Sequence, residues 1–382
     1  MLWLIYGNVL STAMFASINS ELSVIAQHGF LPAKPPETHF PENTEFSFLD
    51  ELGNELPTLL KSSDFRNNIK HLDIPYWSDK WPHANQKAYL HLYYLRLGFL
   101  ASAYINQVGH PRLTELPANL AKPLVKACGI LQRPPILSYD AYALYNWKKL
   151  DDKGPIALGN IDTIQNFVQL YDEHWFILVH VEIEAIAADI FSEVIKFPEF
   201  IEQKKTDAMN NSLMIIAEAV RRQEQVLKRI PEKMDPALYY KTFRPYIRYF
   251  ENVHYQGTDL QPQNQRGETG AQSSIMPSLV AFMKIPHQAS VLTNHLLDMR
   301  NYMPQRDRLF IKWIETLPSF KQQVSAESFN AVLDAIADFR KVHFSWAEEY
   351  INRRTDDPHG TGGTPYMLWL KQLIDETLEH KK

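Results

Sequence analysis

The sequence predicts an all-α protein, and three observations carry that expectation. Apolar residues recur at three- to four-residue intervals over long runs of the C-terminal half. No segment there alternates between apolar and polar residues as a half-buried strand would. The stretch Asp151-Asp152-Lys153-Gly154-Pro155 joins charge to a Gly-Pro breaker and marks a boundary between residues 1–150 and a helical region spanning 151–382.

The elements follow in order. Met1 to Ser20 carries no charged side chain and includes Leu2, Trp3, Leu4, Ile5, Val9, Leu10, Met14 and Phe15. A signal peptide or membrane anchor is one reading, but no Lys or Arg precedes the apolar part, and Gly7, Asn8, Ser11 and Thr12 interrupt it. A packed N-terminal segment, or a start assigned too far upstream, fits equally, and the expected location is the cytoplasm. Residues 31–41 contain Pro32, Pro35, Pro36 and Pro41 and read as an extended arm. Asn85 to Asn106 is apolar nearly all round and predicts a buried helix. Residues 116–135 are punctuated by Pro117, Pro123, Pro134 and Pro135, and a short helix-like run follows over 138–150.

Beyond the boundary, residues 160–196 predict one or two helices. Residues 207–230 form an amphipathic helix with Met209, Leu213, Ile216, Ala217, Val220 and Leu227 inward, and the aromatic run 236–253 is broken at Pro245. The polar stretch 254–272 reads as a long loop, of the length used for binding loops and lids. Phe329 to Tyr350 is a helix whose apolar stripe runs through Phe329, Val332, Leu333, Ile336, Phe339, His343, Trp346, Ala347 and Tyr350.

With 382 residues, 45% of them hydrophobic, the chain has room for one large or two ordinary domains around a substantial core. Its formal net charge of -5 gives no reason to expect nucleic acid or an anionic membrane as partner. Cys128 is the only cysteine, so neither an intramolecular disulfide nor a Cys-rich zinc or iron-sulfur site can be built. Any metal must be held by His and carboxylates, or arrive inside a cofactor.

Four patterns can carry chemistry. His343 lies within an apolar stripe, either as a core histidine bonded to a carbonyl or as the axial ligand of a buried iron macrocycle. His180 and Glu184 share a helix face and can begin a bare metal site, although no second carboxylate-histidine pair accompanies them. Tyr239, Tyr240 and Arg244 bring a guanidinium one turn from two rings, which suits a planar amino acid, or simply an Arg passing core tyrosines. The segment 266–274 places Gly267 and Gly270 before a helix start, where backbone can approach a ligand, but it lacks the ending of a phosphate loop. Gly360-Thr361-Gly362-Gly363-Thr364 is a flexible closure or a turn.

Seven segments in register resemble the indoleamine 2,3-dioxygenase family: Pro134 and Pro135 to Tyr139 and on through Asn146-Trp147-Lys148-Lys149; Phe176 to His180 and on to Glu184-Ala185; Tyr239-Tyr240 to Arg244; Gly270 to Ser274; Asp298 to Pro304; His343; and Gly360 to Thr364. The resemblance implies a smaller, mostly helical N-terminal domain capping a large all-helical domain, with haem b between them. It implies oxidation of L-tryptophan or a related indole by dioxygen, opening the pyrrole ring to an N-formylkynurenine-type product of the kynurenine pathway. An electron donor would keep the haem ferrous.

By the same resemblance His343 is the proximal ligand of the haem iron, and Arg340 sits near a propionate. Arg244 holds the substrate carboxylate; Tyr139, Tyr142 and Phe176 line the indole side, with Tyr239 at its edge. Thr269 and Gly270 lie against the haem, and Thr361 meets the substrate ammonium or carboxylate. The chain departs from the pattern in four places. His180 stands where mammalian-type members have Ser, and is reminiscent of the distal His of the tryptophan 2,3-dioxygenase branch, which bonds the indole N–H or bound oxygen. Tyr239 replaces a Phe and Tyr142 a smaller residue, and Val280 aligns with an acidic position. A haem oxygenase acting on a substituted tryptophan and a non-catalytic haem-binding protein are the alternative expectations.

Overall fold

The computed structural model describes residues 12–78, 85–355 and 366–382. Helices dominate: α1 Thr12–His28, α2 Phe48–Leu59, α3 Phe65–Lys70, α4 Gln86–Asn106, α5 Ala118–Leu131, α6 Tyr171–Val194, α7 Phe197–Glu202, α8 Thr206–Leu227, α9 Pro236–Leu238, α10 Ile275–Met283, α11 Val291–Arg300, α12 Gln305–Thr316, α13 Ala326–Tyr350 and α14 Tyr366–Glu379. The all-α expectation holds. No described helix is long and apolar enough to cross a membrane.

The helices form where periodicity and end signals agree. Ser325 caps α13, its side chain accepting the Ser328 N–H at 3.1 Å, and the stripe Phe329, Val332, Leu333, Ile336 is buried behind it. Each such side chain contributes about 1.5 to 3 kcal/mol of burial. α8 turns Met209, Leu213, Ile216 and Val220 inward and lies between α6 and α13. α4 is buried along most of its length, as its uniform apolarity predicts. Within it Arg96 is paired with Asp50 at 3.0 Å and donates to Gln165 at 2.7 Å, so the buried cation is not left bare.

Two large clusters of buried apolar residues result. One gathers α2, α4, α5 and the segment 136–147 with Tyr246 to Tyr255; the other gathers α1, α6, α8, α10, α12 and α13. α1, within the stretch whose first eleven residues lie outside the description, packs on α6 through Ile18 and Ile25. Gly29 ends it at φ +59, and a β-carbon there would stand 2.8 Å from the Glu184 carbonyl oxygen, so the chain passes α6 at a distance only Gly permits.

The structure departs from the expected elements in three stretches. The stretch 236–253 is not one broken helix: after α9 it widens into a π-turn over Tyr239–Phe243, where the Arg244 N–H reaches the Tyr239 carbonyl at 3.1 Å. Residues 138–150 likewise hold a π-turn, Asp140–Leu144. Short strands exist: β1 Glu115–Leu116 runs parallel to β4 Phe250–Tyr255, which pairs antiparallel with β5 Gln263–Gln265, while β2 Lys148–Lys149 pairs with β3 Ile161–Asp162. The 254–272 stretch is therefore partly a hairpin. Its burial follows no strict alternation along β4, which is why no period-2 signal announced it. α5 forms with Pro117 as its N-cap and carries Pro123 inside it, where one intrahelical N–H bond is lost, while the buried face Leu120, Ala121, Leu124, Ala127 and Cys128 holds the helix in place.

Candidate functional site

α6 and α13 each present one histidine to a cavity of about 430 Å3. Its wall includes His180, Ile183, Gln223, Leu227, Thr269, Gly270, Ala271, Val280, Phe339, Arg340, His343, Ala347 and Leu373, with Tyr366 and Trp369 of α14. The lining is largely apolar with a few converging polar groups, the usual make-up of a cofactor or small-molecule site.

His343 has no hydrogen-bond partner among the described residues. The ring keeps a large accessible surface although protein surrounds it, because that surface belongs to the cavity. Burial, and then the nearby His180, lower its pKa to about 4, so the imidazole is neutral at pH 7. It is therefore not the carbonyl-bonded core histidine that one reading allowed. A neutral imidazole offered from a rigid apolar wall is what an axial ligand requires. Beside Gly270 no atom lies within 4 Å of where a β-carbon would project, so the loop opposite leaves open space. A flat macrocycle fits this donor and this wall.

His180 has a fixed tautomer. Its Nδ1 lies 2.7 Å from the Phe176 carbonyl, which can only accept, so Nδ1 carries the proton and Nε2 is left as an acceptor. Burial lowers its pKa also. The pair His180 and Glu184 does not build a bare metal site. Glu184 instead accepts the hydroxyls of Ser273 at 2.6 Å and Tyr139 at 3.0 Å, and no group of three potential ligands occurs among the described residues.

An aromatic cluster adjoins His180. Phe176 lies 4.6 Å from it between ring centroids, Tyr139 5.9 Å, and Phe176 in turn touches Tyr239 at 5.6 Å and Tyr142 at 6.3 Å. Both π-turns feed this cluster, since the wider turn carries Tyr142 and Tyr239 on elements facing α6. Arg244 is buried at the end of the second π-turn, with its guanidinium 5.0 Å from the Tyr240 ring and hydrogen bonded to Tyr239. The structure thus gathers Tyr139, Tyr142, Phe176, Tyr239 and His180. His180, Tyr139, Thr269, Gly270, Arg340 and His343 share the cavity wall. Arg340 gives one nitrogen to the Leu373 carbonyl at 2.7 Å and to the Thr377 hydroxyl, anchoring α13 to α14. Thr361 lies outside the described residues.

Three buried carboxyl groups surround the cluster, and the sequence reading gave none of them this place. Glu173 accepts the Phe167 and Val168 N–H groups and the Tyr142 hydroxyl, yet burial raises its pKa to about 7. Glu184 is raised to about 7 by burial, against its hydroxyl donors. Glu268 is raised to about 8 by burial alone. The Gly267 backbone presses so closely on residues 247–249 that no side chain would fit, and this sets the course of the loop that bears Glu268. Gln272 ties that loop to the first π-turn, accepting the Tyr139 N–H and donating to the Gly267 carbonyl, both at 2.9 Å.

Comparison with known proteins bears on this arrangement. The sequence profile of the indoleamine 2,3-dioxygenase family matches residues 19–355. Human indoleamine 2,3-dioxygenase 2 is 27% identical, covering 86% of this chain and 88% of its own. The Saccharomyces cerevisiae indoleamine 2,3-dioxygenase is 27% identical over 92% of this chain and 91% of its own. A 6-hydroxytryptophan 2,3-dioxygenase of Fusarium equiseti is 24% identical over 92% and 95%. The chain belongs to the indoleamine 2,3-dioxygenase family and is a haem-dependent dioxygenase of the indole ring.

Proposed function

We propose that the protein binds haem b through His343 and converts L-tryptophan and dioxygen into N-formylkynurenine, as a step of tryptophan catabolism. The observation that carries this reading is the unpartnered, neutral imidazole of His343 on the cavity that His180 also faces. Arg340, on the same wall one turn before His343, would stand beside the cofactor's edge. When bound, the haem supplies the redox-active iron through which dioxygen reacts with the electron-rich indole double bond, and a cellular electron donor keeps that iron ferrous.

The remaining work falls to this chain's own residues. Phe176, Tyr139 and Tyr142 hold the indole plane, and Tyr239 closes the edge of the pocket. Arg244 fixes the carboxylate by a charge-assisted fork, so the ring is presented in one orientation. His180 Nε2 accepts the indole N–H, and its lowered pKa keeps the lone pair available at neutral pH. Thr269 and Gly270 bring backbone against the cofactor. The apolar wall excludes water from the reacting bond. Both atoms of dioxygen enter the product as the C2–C3 bond is cleaved.

A second reading, a substituted tryptophan as substrate, is favoured by the phenols of Tyr142 and Tyr239 and by the name of the Fusarium relative. Turnover under isotopically labelled dioxygen tests the choice. N-formylkynurenine carrying two labelled atoms from L-tryptophan is the expected product. Turnover of hydroxytryptophans alone would favour the second reading, and no labelled product from either would overturn both.

A further inference from the structure

Gln223 of α8 is fully buried on the cavity wall, yet only half of its amide is satisfied. Nε2 donates at 2.9 Å to the Ile183 carbonyl, which can only accept, so the orientation of the amide is fixed and Oε1 is the free end. That oxygen has no hydrogen-bond partner among the described residues. A buried acceptor in this position calls for an N–H donor. His180, on the same wall, cannot be that donor: its one N–H is held by the Phe176 carbonyl, and its other nitrogen only accepts. Arg340 turns toward α14 instead, giving a guanidinium nitrogen to the Leu373 carbonyl and the Thr377 hydroxyl.

His343 is the donor that the packing offers. α8 and α13 lie side by side and run in the same direction: Ser328, near the start of α13, donates to Asn210, near the start of α8, at 2.7 Å, and Trp346, near the end of α13, donates to the Leu227 carbonyl that ends α8 at 3.1 Å. Counted back from the second contact, His343 lies three residues before Trp346 and Gln223 four before Leu227. These spacings keep each residue on the face that carries its contact, and they put the two within about 1.5 Å of one level along the helix pair. Both line the cavity. A neutral imidazole has one N–H and one bare nitrogen; when the bare nitrogen goes to iron, the N–H needs an acceptor, and metal-ligating histidines are regularly held by one. We propose that in the haem-loaded protein Gln223 Oε1 accepts the N–H of His343, as a positioning residue that fixes the tautomer and orientation of the proximal ligand and strengthens its donation to iron. The inference rests on the haem reading above.

Resonance Raman spectra of the ferrous, haem-loaded protein read this bond through the iron–histidine stretching band, and redox titration reads it through the ferric–ferrous midpoint. A hydrogen-bonded imidazole is more basic and binds iron more strongly, so the wild-type band should lie above that of ferrous haem carrying 2-methylimidazole in an aprotic solvent. Gln223→Leu should lower the band, raise the midpoint potential and weaken hemin binding by about tenfold or more. Gln223→Glu keeps an acceptor and should hold the band at or above its wild-type position. A Gln223→Leu protein whose band and midpoint match wild type would overturn the proposal. Equal shifts in both variants would mean a packing role and overturn it too, as would an unshifted band with weakened L-tryptophan binding, which would turn Gln223 toward the substrate. The wild-type band needs no variant, and its coincidence with the reference haem would by itself refute the inference. If His343→Ala keeps the wild-type band, the haem reading falls, and this one with it.

Discussion

Replacing Glu184 with glutamine tests whether burial, rather than its hydrogen bonds, governs the carboxyl group at the centre of the site. In the fold its pKa rises from the ordinary 4.5 to about 7, with desolvation outweighing the Ser273 and Tyr139 hydroxyls. That displacement is worth about 3 kcal/mol, at roughly 1.4 kcal/mol for each tenfold in proton affinity. The sign follows from where the proton is held more tightly. The folded state binds it better than the unfolded chain, so the full contribution is present below pH 4.5 and is lost as pH rises toward 7. Glutamine keeps the shape and the oxygen that accepts both hydroxyls at 2.6 and 3.0 Å, but cannot ionise. Chemical denaturation of wild type and Glu184→Gln across pH 4.5 to 8.5 should give similar stabilities at the acid end and a variant that gains on wild type by up to ~3 kcal/mol at the alkaline end. A constant difference across that range would refute the reasoning.

Three other outcomes follow from particular contacts. Arg244→Ala should raise the apparent L-tryptophan constant by about thirty- to hundredfold, the equivalent of about 2 to 3 kcal/mol for a lost charge-assisted fork, and steady-state kinetics that leave it unchanged would remove the clamp. His180→Ala should cost about three- to tenfold in L-tryptophan affinity and almost nothing for 1-methyltryptophan, which has no indole N–H to give; equal losses for both ligands would mean that Nε2 does not accept that proton. Gly29→Ala should destabilise the fold by about 2 kcal/mol or more in thermal unfolding, since φ is +59 there and the new β-carbon meets the Glu184 carbonyl at 2.8 Å.

How far the sequence disclosed this structure depended on how each element leaves its mark. α4, α8 and α13 were legible because uninterrupted apolar periodicity over several turns has few other solutions. The two π-turns were not, since an i to i+5 hydrogen bond at Tyr145 or Arg244 changes the register without changing composition. β4 and β5 were missed because they are short and their burial does not alternate cleanly.

The site divides in the same way. His343 and Arg244 stood out as a polar residue on an apolar stripe and a guanidinium near aromatic rings, yet each also had an ordinary structural reading. Packing tells against the ordinary reading of His343, whose ring meets a cavity and not a carbonyl. Glu184 was visible as a neighbour of His180, but its hydroxyl donors come from residues 45 positions earlier and 89 later, and no local pattern encodes them. Glu268 sits between Gly267 and Thr269 in a polar stretch, where a charged side chain reads as solvated. In the fold Glu268 is buried, next to Gly267, whose backbone approaches residues 247–249 too closely for a side chain.

The central claim is that His343 holds the haem. Absorption spectra of hemin-reconstituted wild type and His343→Ala, before and after dithionite and with L-tryptophan in air, test it most directly. The account predicts a Soret band in wild type that the variant loses, with N-formylkynurenine absorbance growing only in wild type. An intact Soret band in His343→Ala would contradict it.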